Sequence, residues 1–184
     1  MILRSPRLLI AAASAFVGLS EHDAGGAAFI EAMRRAVGDV SGGRWDAAIV
    51  YHWGFWSHFD QRTERSSWPL VRASTAHELA TFALEQRVRR EAPEEGDVFV
   101  QYSPVTRTFV RTGVVVQIRA RGQLGKADYY DIVTVEGNSN ERGDFGGPSV
   151  VRAERRLSPG KGDRFIRWTE IDAVGGADSI AGVA

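Results

Sequence analysis

The sequence predicts an α+β fold: N-terminal helices packed on a C-terminal antiparallel β-sheet of about five strands. Three observations predict it. Before Gly96, apolar residues recur at helical spacing in successive segments. After Gly96 the chain turns to β-branched and aromatic runs divided by Gly- and Pro-containing turns. No internal repeat breaks this order, and a chain of 184 residues suits a single domain.

Taken in order, Leu8 to Leu19 reads as a first helix, with a secretory signal as the competing reading because Arg4 and Arg7 precede an apolar, small-residue run. That run is too short to span a bilayer, which takes ~20 residues. A chain delivered without a cleaved signal, or kept in the cytoplasm, is favoured over a secreted one. Ala27 to Val37 is a second helix with Phe29, Ile30, Met33 and Val37 on one side. The third, from about Trp45 to Phe59, is the central element: Asp46, Ile49, Val50 and Trp53 share a face, and the acid at its start suits the positive end of the helix dipole. Gln61 to Pro69 reads as a polar connection. Ser74 to Arg90 is a fourth helix, capped by Ser74, with Leu79, Phe82, Ala83 and Val88 inward. Strands follow at Asp97–Tyr102, Thr108–Ile118, Tyr130–Val135, Ser149–Arg155 and Arg164–Thr169. Residues 1–172 form one domain in this reading, and the small residues of 173–184 form a flexible tail.

Composition narrows the function. The chain carries 23 basic and 23 acidic residues, so neither nucleic acid nor an anionic membrane is favoured as a partner. Arg87–Arg90 reads as a solvated helix end. There is no cysteine, which excludes disulfides, thiolate metal sites and a cysteine nucleophile. His52 and His58 are spaced poorly for chelating one metal, His22 and His77 stand alone, and no metal or cofactor is expected. Ser57, Ser66, Ser67 and Ser103 lack a recognisable nucleophile setting. Among the tryptophans, Trp45, Trp56 and Trp68 are candidates to line a ligand groove, against core packing as the alternative; Trp53 reads as core.

Four local features then fall in order: Arg44–Trp53 (RWDAAIVYHW), Gly96-Asp97-Val98-Phe99, Arg111–Val116 (RTGVVV) and Val135–Asn140 (VEGNSN). Together they resemble the CHAP family of cysteine, histidine-dependent amidohydrolases and peptidases, relatives of the NlpC-type and papain-like hydrolases. That family shows Trp-Cys-Ala-Ala-Phe-Val at its nucleophile helix, Gly-Asp at a strand start, His-Thr-Gly-Ile-Val on the base strand and Glu-Gly-Asn-Thr-Asn near the end. Val71–Ser74, Arg152–Arg156 and Phe165–Trp168 also suit it, so the resemblance covers most of the chain. It implies a papain-like fold. It matches the nucleophile position to Asp46, the base position to Arg111 and the third-member positions to Glu136 and Asn138; for the last two, a tight turn that selects Gly137 and Asn138 for backbone geometry is the alternative.

The two replacements remove the family's chemistry. A carboxylate is a weak nucleophile toward an amide, and a guanidinium stays protonated and cannot serve as a base. The expectation is a catalytically inactive CHAP-like domain that binds a peptide-like or cell-wall ligand, or a protein partner. Two other functions remain open: a cell-wall amidase or endopeptidase using Asp46 and Glu136, and a structural or interaction module of a larger assembly. Asp46 and Arg111 are expected to form a direct salt bridge, with Glu136 a second partner for Arg111.

Overall fold

A computed structural model describes residues 4–39, 43–63, 65–140 and 146–171; the tail predicted at 173–184 lies outside them. The fold is α+β, with four helices and an antiparallel six-stranded sheet among the described residues. Helix α1 (Pro6–Ala15) starts with proline in its first turn, where a missing N–H costs nothing, and buries Leu9 and Ala13. Helix α2 (Ala24–Ala36) buries Ile30 and Met33. Helix α3 (Asp46–Ser57) is buried on nearly every side, from Asp46 through Tyr51 and from Trp53 through Phe55. A helix apolar all round belongs in the interior, and α3 packs on α1, α2, α4 and the sheet.

Within the segment read as a polar connection, a small ribbon pairs β1 (Phe59–Asp60) with β2 (Arg65–Ser66). Helix α4 (Ala76–Glu85) is capped by Thr75 rather than Ser74: the Thr75 hydroxyl accepts from Glu78 N–H at 3.2 Å, and the Glu78 carboxylate returns to Ser74 N–H at 2.8 Å. This helix ends earlier than the sequence predicts. Arg89–Arg90 forms a strand, β3, paired with β8, so Arg87–Arg90 is a turn and a sheet edge and not a helix end.

The remaining strands are β4 (Val98–Ser103), β5 (Thr108–Leu124), β6 (Ala127–Ser139), β7 (Ser149–Leu157) and β8 (Arg164–Ile166), in the order β3-β8-β4-β5-β6-β7. Beyond Ile166, where a strand to Thr169 is expected, the chain turns into a single 3₁₀ turn at Trp168–Glu170. Strand β5 is longer than expected because it runs out with β6 into a hairpin: Arg111–Val116 is buried, and exposure begins at Gln117. The sheet separates two apolar clusters. One face carries Val98, Val100, Val114, Val133, Val135 and Ile166 against the helices. The opposite face carries Phe99, Val115, Tyr130, Ile132, Leu157 and Phe165. No helix among the described residues is long and apolar enough to cross a membrane.

Candidate functional site

The first turn of α3 meets the middle of the sheet, and this brings the four motif positions into one region. Asp46 opens α3, Arg111 lies on β5, and Glu136 and Asn138 lie on β6. All three charged groups are shut away, at 3% exposure for Asp46, 6% for Arg111 and 0% for Glu136. The closeness comes from packing without side chains. At Gly137 an added Cβ would sit 2.5 Å from the Trp45 ring and 2.7 Å from Ile49, so only glycine lets α3 approach β6 this closely.

The expected salt bridge between Asp46 and Arg111 does not form. Asp46 Oδ2 accepts the backbone N–H of Thr112 at 2.9 Å, while Arg111 Nη1 donates to Glu136 Oε2 at 3.3 Å. The reason is strand alternation. Thr112 pairs with Val100 and shares its helix-facing side, whereas Arg111 and Gly113 point with Phe99 to the other face. Gly113 confirms the direction, since its missing Cβ would meet the side chains of Glu136 and Phe99. Asp46 therefore reaches β5 from the helix side, and Arg111 leaves β5 on the opposite side. The sheet lies between the two reacting positions of the resemblance.

The two sides hold different partners, although Arg111 still feels the charge of Asp46 across the strand. On the far face, Glu136 receives a bidentate pair from Arg155 at 2.7 and 2.7 Å, besides Arg111 and the hydroxyls of Thr134 and Ser139. Arg155 is a partner that sequence reasoning missed; an arginine in a strand carries no local signal of its mate 19 residues away. On the helix face, Asp46 Oδ2 takes the Thr112 N–H, and Oδ1 lies by the N–H groups of its own helix start without a well-formed hydrogen bond among the described residues. Burial pushes its carboxyl up to about 6, against the opposing attraction of Arg44 and the hydrogen bond from Thr112. Asn138 is held at φ +53°, and its carbonyl accepts the N–H groups of Gly146 and Gly147. The turn geometry accounts for its presence, since asparagine tolerates the left-handed region better than most residues.

The other sequence candidates scatter. Trp45 and Trp68 are core residues, packed against Gly137 and Gly54 respectively. Trp53 is core, as expected. Trp56 is 47% exposed and borders an apolar recess of about 140 Å³ between α2 and α3, with Phe29, Met33, Tyr51, His52 and Phe55. Arg72 stands at this recess and donates to the Tyr51 hydroxyl at 3.2 Å. His52 lies edge-on to Phe29 and Phe16, and burial pulls its imidazole down to about 4. The spacing of apolar residues on two helices hints at such a recess only once the helices are known to be neighbours.

Ser57 Oγ lies 2.8 Å from His58 Nδ1, a contact suggestive of a nucleophile and its base. The ring is otherwise engaged: Nε2 accepts from Ser5 N–H at 3.2 Å, which leaves Nδ1 protonated and directed also at the Gly54 carbonyl at 3.1 Å. It has no lone pair for the Ser57 proton. Ser66 and Ser67 donate to the carbonyls of Phe55 and His58, and Ser103 accepts from Thr106 N–H. His22 and His77 are exposed.

Set against protein families, curated proteins and solved structures, the chain has no significant match.

Proposed function

We propose that this chain is a non-catalytic binding domain on a CHAP-like, papain-like scaffold. The single observation that carries this reading is the division of Asp46 from Arg111 and Glu136 by the sheet. Acyl-transfer chemistry needs a nucleophile and a base side chain that meet over one substrate atom. Here the acid at the helix start faces a backbone N–H, and the guanidinium faces a carboxylate on the other side. What supports the CHAP-like part of the reading is the element order alone: a buried central helix, opening at the Trp45-Asp46 pair, abuts the middle strands of an antiparallel sheet.

The enzyme reading has one observation in its favour. A carboxyl raised to about 6 is suited to acid–base work. Asp46 is only 3% exposed, however, so no substrate atom reaches it in this conformation. The ligand surface we favour is the recess bordered by Trp56, which offers rings and an arginine to an apolar side chain of a peptide-like ligand.

The test pairs a zymogram on purified peptidoglycan with a pelleting assay on the same material. The natural chain is expected to pellet without clearing, and Trp56→Ala is expected to stay in the supernatant while keeping its melting temperature. Clearing by the natural chain overturns the non-catalytic reading. Failure of the natural chain to pellet removes cell-wall material as the ligand.

A further inference from the structure

A second recess lies at the open edge of the sheet, beside the C-terminal end of α4. It is about 270 Å³ in volume and is lined by Leu84, Arg87, Arg89, Arg90, Glu91 and Arg164. Three elements bring these residues together. Arg87 is in the turn that ends α4, Arg89 and Arg90 form the edge strand β3, and Arg164 begins β8, which pairs with β3.

The turn is unusual in its occupant. Val88 N–H bonds to the Ala83 carbonyl at 3.1 Å and Arg87 N–H to the Leu84 carbonyl at 3.1 Å, the two closing bonds of a Schellman motif. The residue at the left-handed position of that motif is usually glycine. Here it is Arg87, at φ +56°. A side chain is thus kept at a position that disfavours one, and that side chain lines the recess.

Charge decides what the recess would hold. Arg90 is paired with Glu170. Arg164 donates Nη1 to the carbonyls of Pro159 and Asp163, both at 2.6 Å, which fixes its guanidinium; the Asp163 carboxylate attracts it without a direct ion pair and is also offset by Lys161. Arg87 and Arg89 have no carboxylate partner among the described residues. Setting the four guanidiniums against Glu91 and Glu170 leaves two positive charges in a chain whose formal charge is zero. The negative end of α4 offsets roughly half a charge of this. Planar guanidinium forks match the oxygens of a phosphoryl group, and a surplus near two matches its dianion. The volume is just under the ~300 Å³ at which pockets for whole drug-sized ligands begin, so it suits a phosphoryl group or pyrophosphate, with the rest of any larger molecule left outside.

We propose that this recess, formed by Arg87, Arg89 and Arg164, binds the phosphoryl group of a small phosphorylated ligand. The site is independent of the Trp56 recess and of the CHAP-like reading.

Titration calorimetry on the full chain with inorganic phosphate and with pyrophosphate, in ~0.05 M and ~0.15 M salt, tests it. Both anions are expected to bind, pyrophosphate with a Kd below about 1 mM at the lower salt. Arg89→Gln combined with Arg164→Gln is expected to weaken binding by about tenfold or more. Because Arg164 also supports two carbonyls, Arg87→Gly is the second variant: glycine relieves the left-handed position, so the melting temperature is expected to rise while affinity falls. Malonate serves as a carboxylate control. No binding of either phosphate at ~10 mM, about tenfold above the expected limit of about 1 mM, overturns the proposal. So does equal or tighter binding of malonate, or an affinity unchanged in both variants.

Discussion

Strand β7 sets two arginines side by side and sends them to opposite faces of the sheet. Arg155 grips Glu136 through two bonds of 2.7 and 2.7 Å, and Arg156 grips Asp131 through two of 2.7 and 2.9 Å. The geometry is nearly the same, and the surroundings are not. The first pair is 16% and 0% exposed, the second 61% and 32%. The difference teaches that a bidentate ion pair has no fixed energetic value. In the interior both groups have lost their water, so each depends on the other. At the surface, solvent stands ready to replace either partner.

The strongest way to break this comparison is Glu136→Gln. It removes the charge that serves both the buried Arg111 and the half-buried Arg155. Breaking a buried pair by deleting one member costs on the order of 3–5 kcal/mol. For a domain of this size each kcal/mol moves the melting temperature by about 2–4 °C, so thermal unfolding is expected to fall by about 10 °C. A loss under about 2 °C would show that the far-face cluster is not sealed.

Asp46 sharpens the comparison, because it is a buried acid without a guanidinium in contact. Its carboxyl titrates near 6 in the fold against 3.8 in the unfolded chain, through burial. Between those values the folded state binds its proton more tightly, so stability falls as pH rises through the window and the full penalty, up to about 3 kcal/mol, is present above pH 6. His52 works in the opposite sense. Burial lowers it from 6.5 to about 4, so the unfolded chain takes up the proton first and stability is lost as pH falls across that window, by up to about 3 kcal/mol. Melting curves from pH 4 to 7.5 are expected to tilt upward with pH in Asp46→Asn and downward in His52→Phe, relative to the natural chain. Slopes that move the same way in both variants would refute the assignment.

These cases also show how far the sequence is legible. Helix α3 is readable because an acid opens it and large apolar residues recur along it; the predicted and observed starts differ by one residue. The long strands are readable from their β-branched runs. The face on which Arg111 emerges is not. Val114, Val115 and Val116 are all buried, so the run carries no polar–apolar alternation to mark inside from outside, and a one-residue shift exchanges every side chain between faces. That is why the motif brings Asp46 and Arg111 near in sequence logic while the fold gives Asp46 the Thr112 N–H instead. Strand β3 is illegible for another reason: two arginines have no strand signal of their own and are held by pairing with Phe165 and Ile166. Trp45 and Trp68 are buried, and the sequence does not mark this because ring size alone does not separate a platform from a core.

Asp131→Asn supplies the smallest effect and the cleanest contrast. It deletes one charge from a pair as well formed as the buried one, yet the Arg156 guanidinium keeps its contact with the Tyr129 ring at 4.3 Å from the centroid and remains open to water. Attraction to Asp131 and its hydrogen bonds hold the Arg156 charge above its ordinary range, chiefly through the hydrogen bond, and hold the Asp131 carboxyl below its own. Exposed pairs nevertheless contribute little, because the free ions are well hydrated and salt screens their attraction. The melting temperature is expected to move by no more than about 3 °C, and by less in ~1 M salt. If Asp131→Asn costs as much as Glu136→Gln, bond geometry and not burial governs these pairs, and the contrast between the two faces of β7 fails.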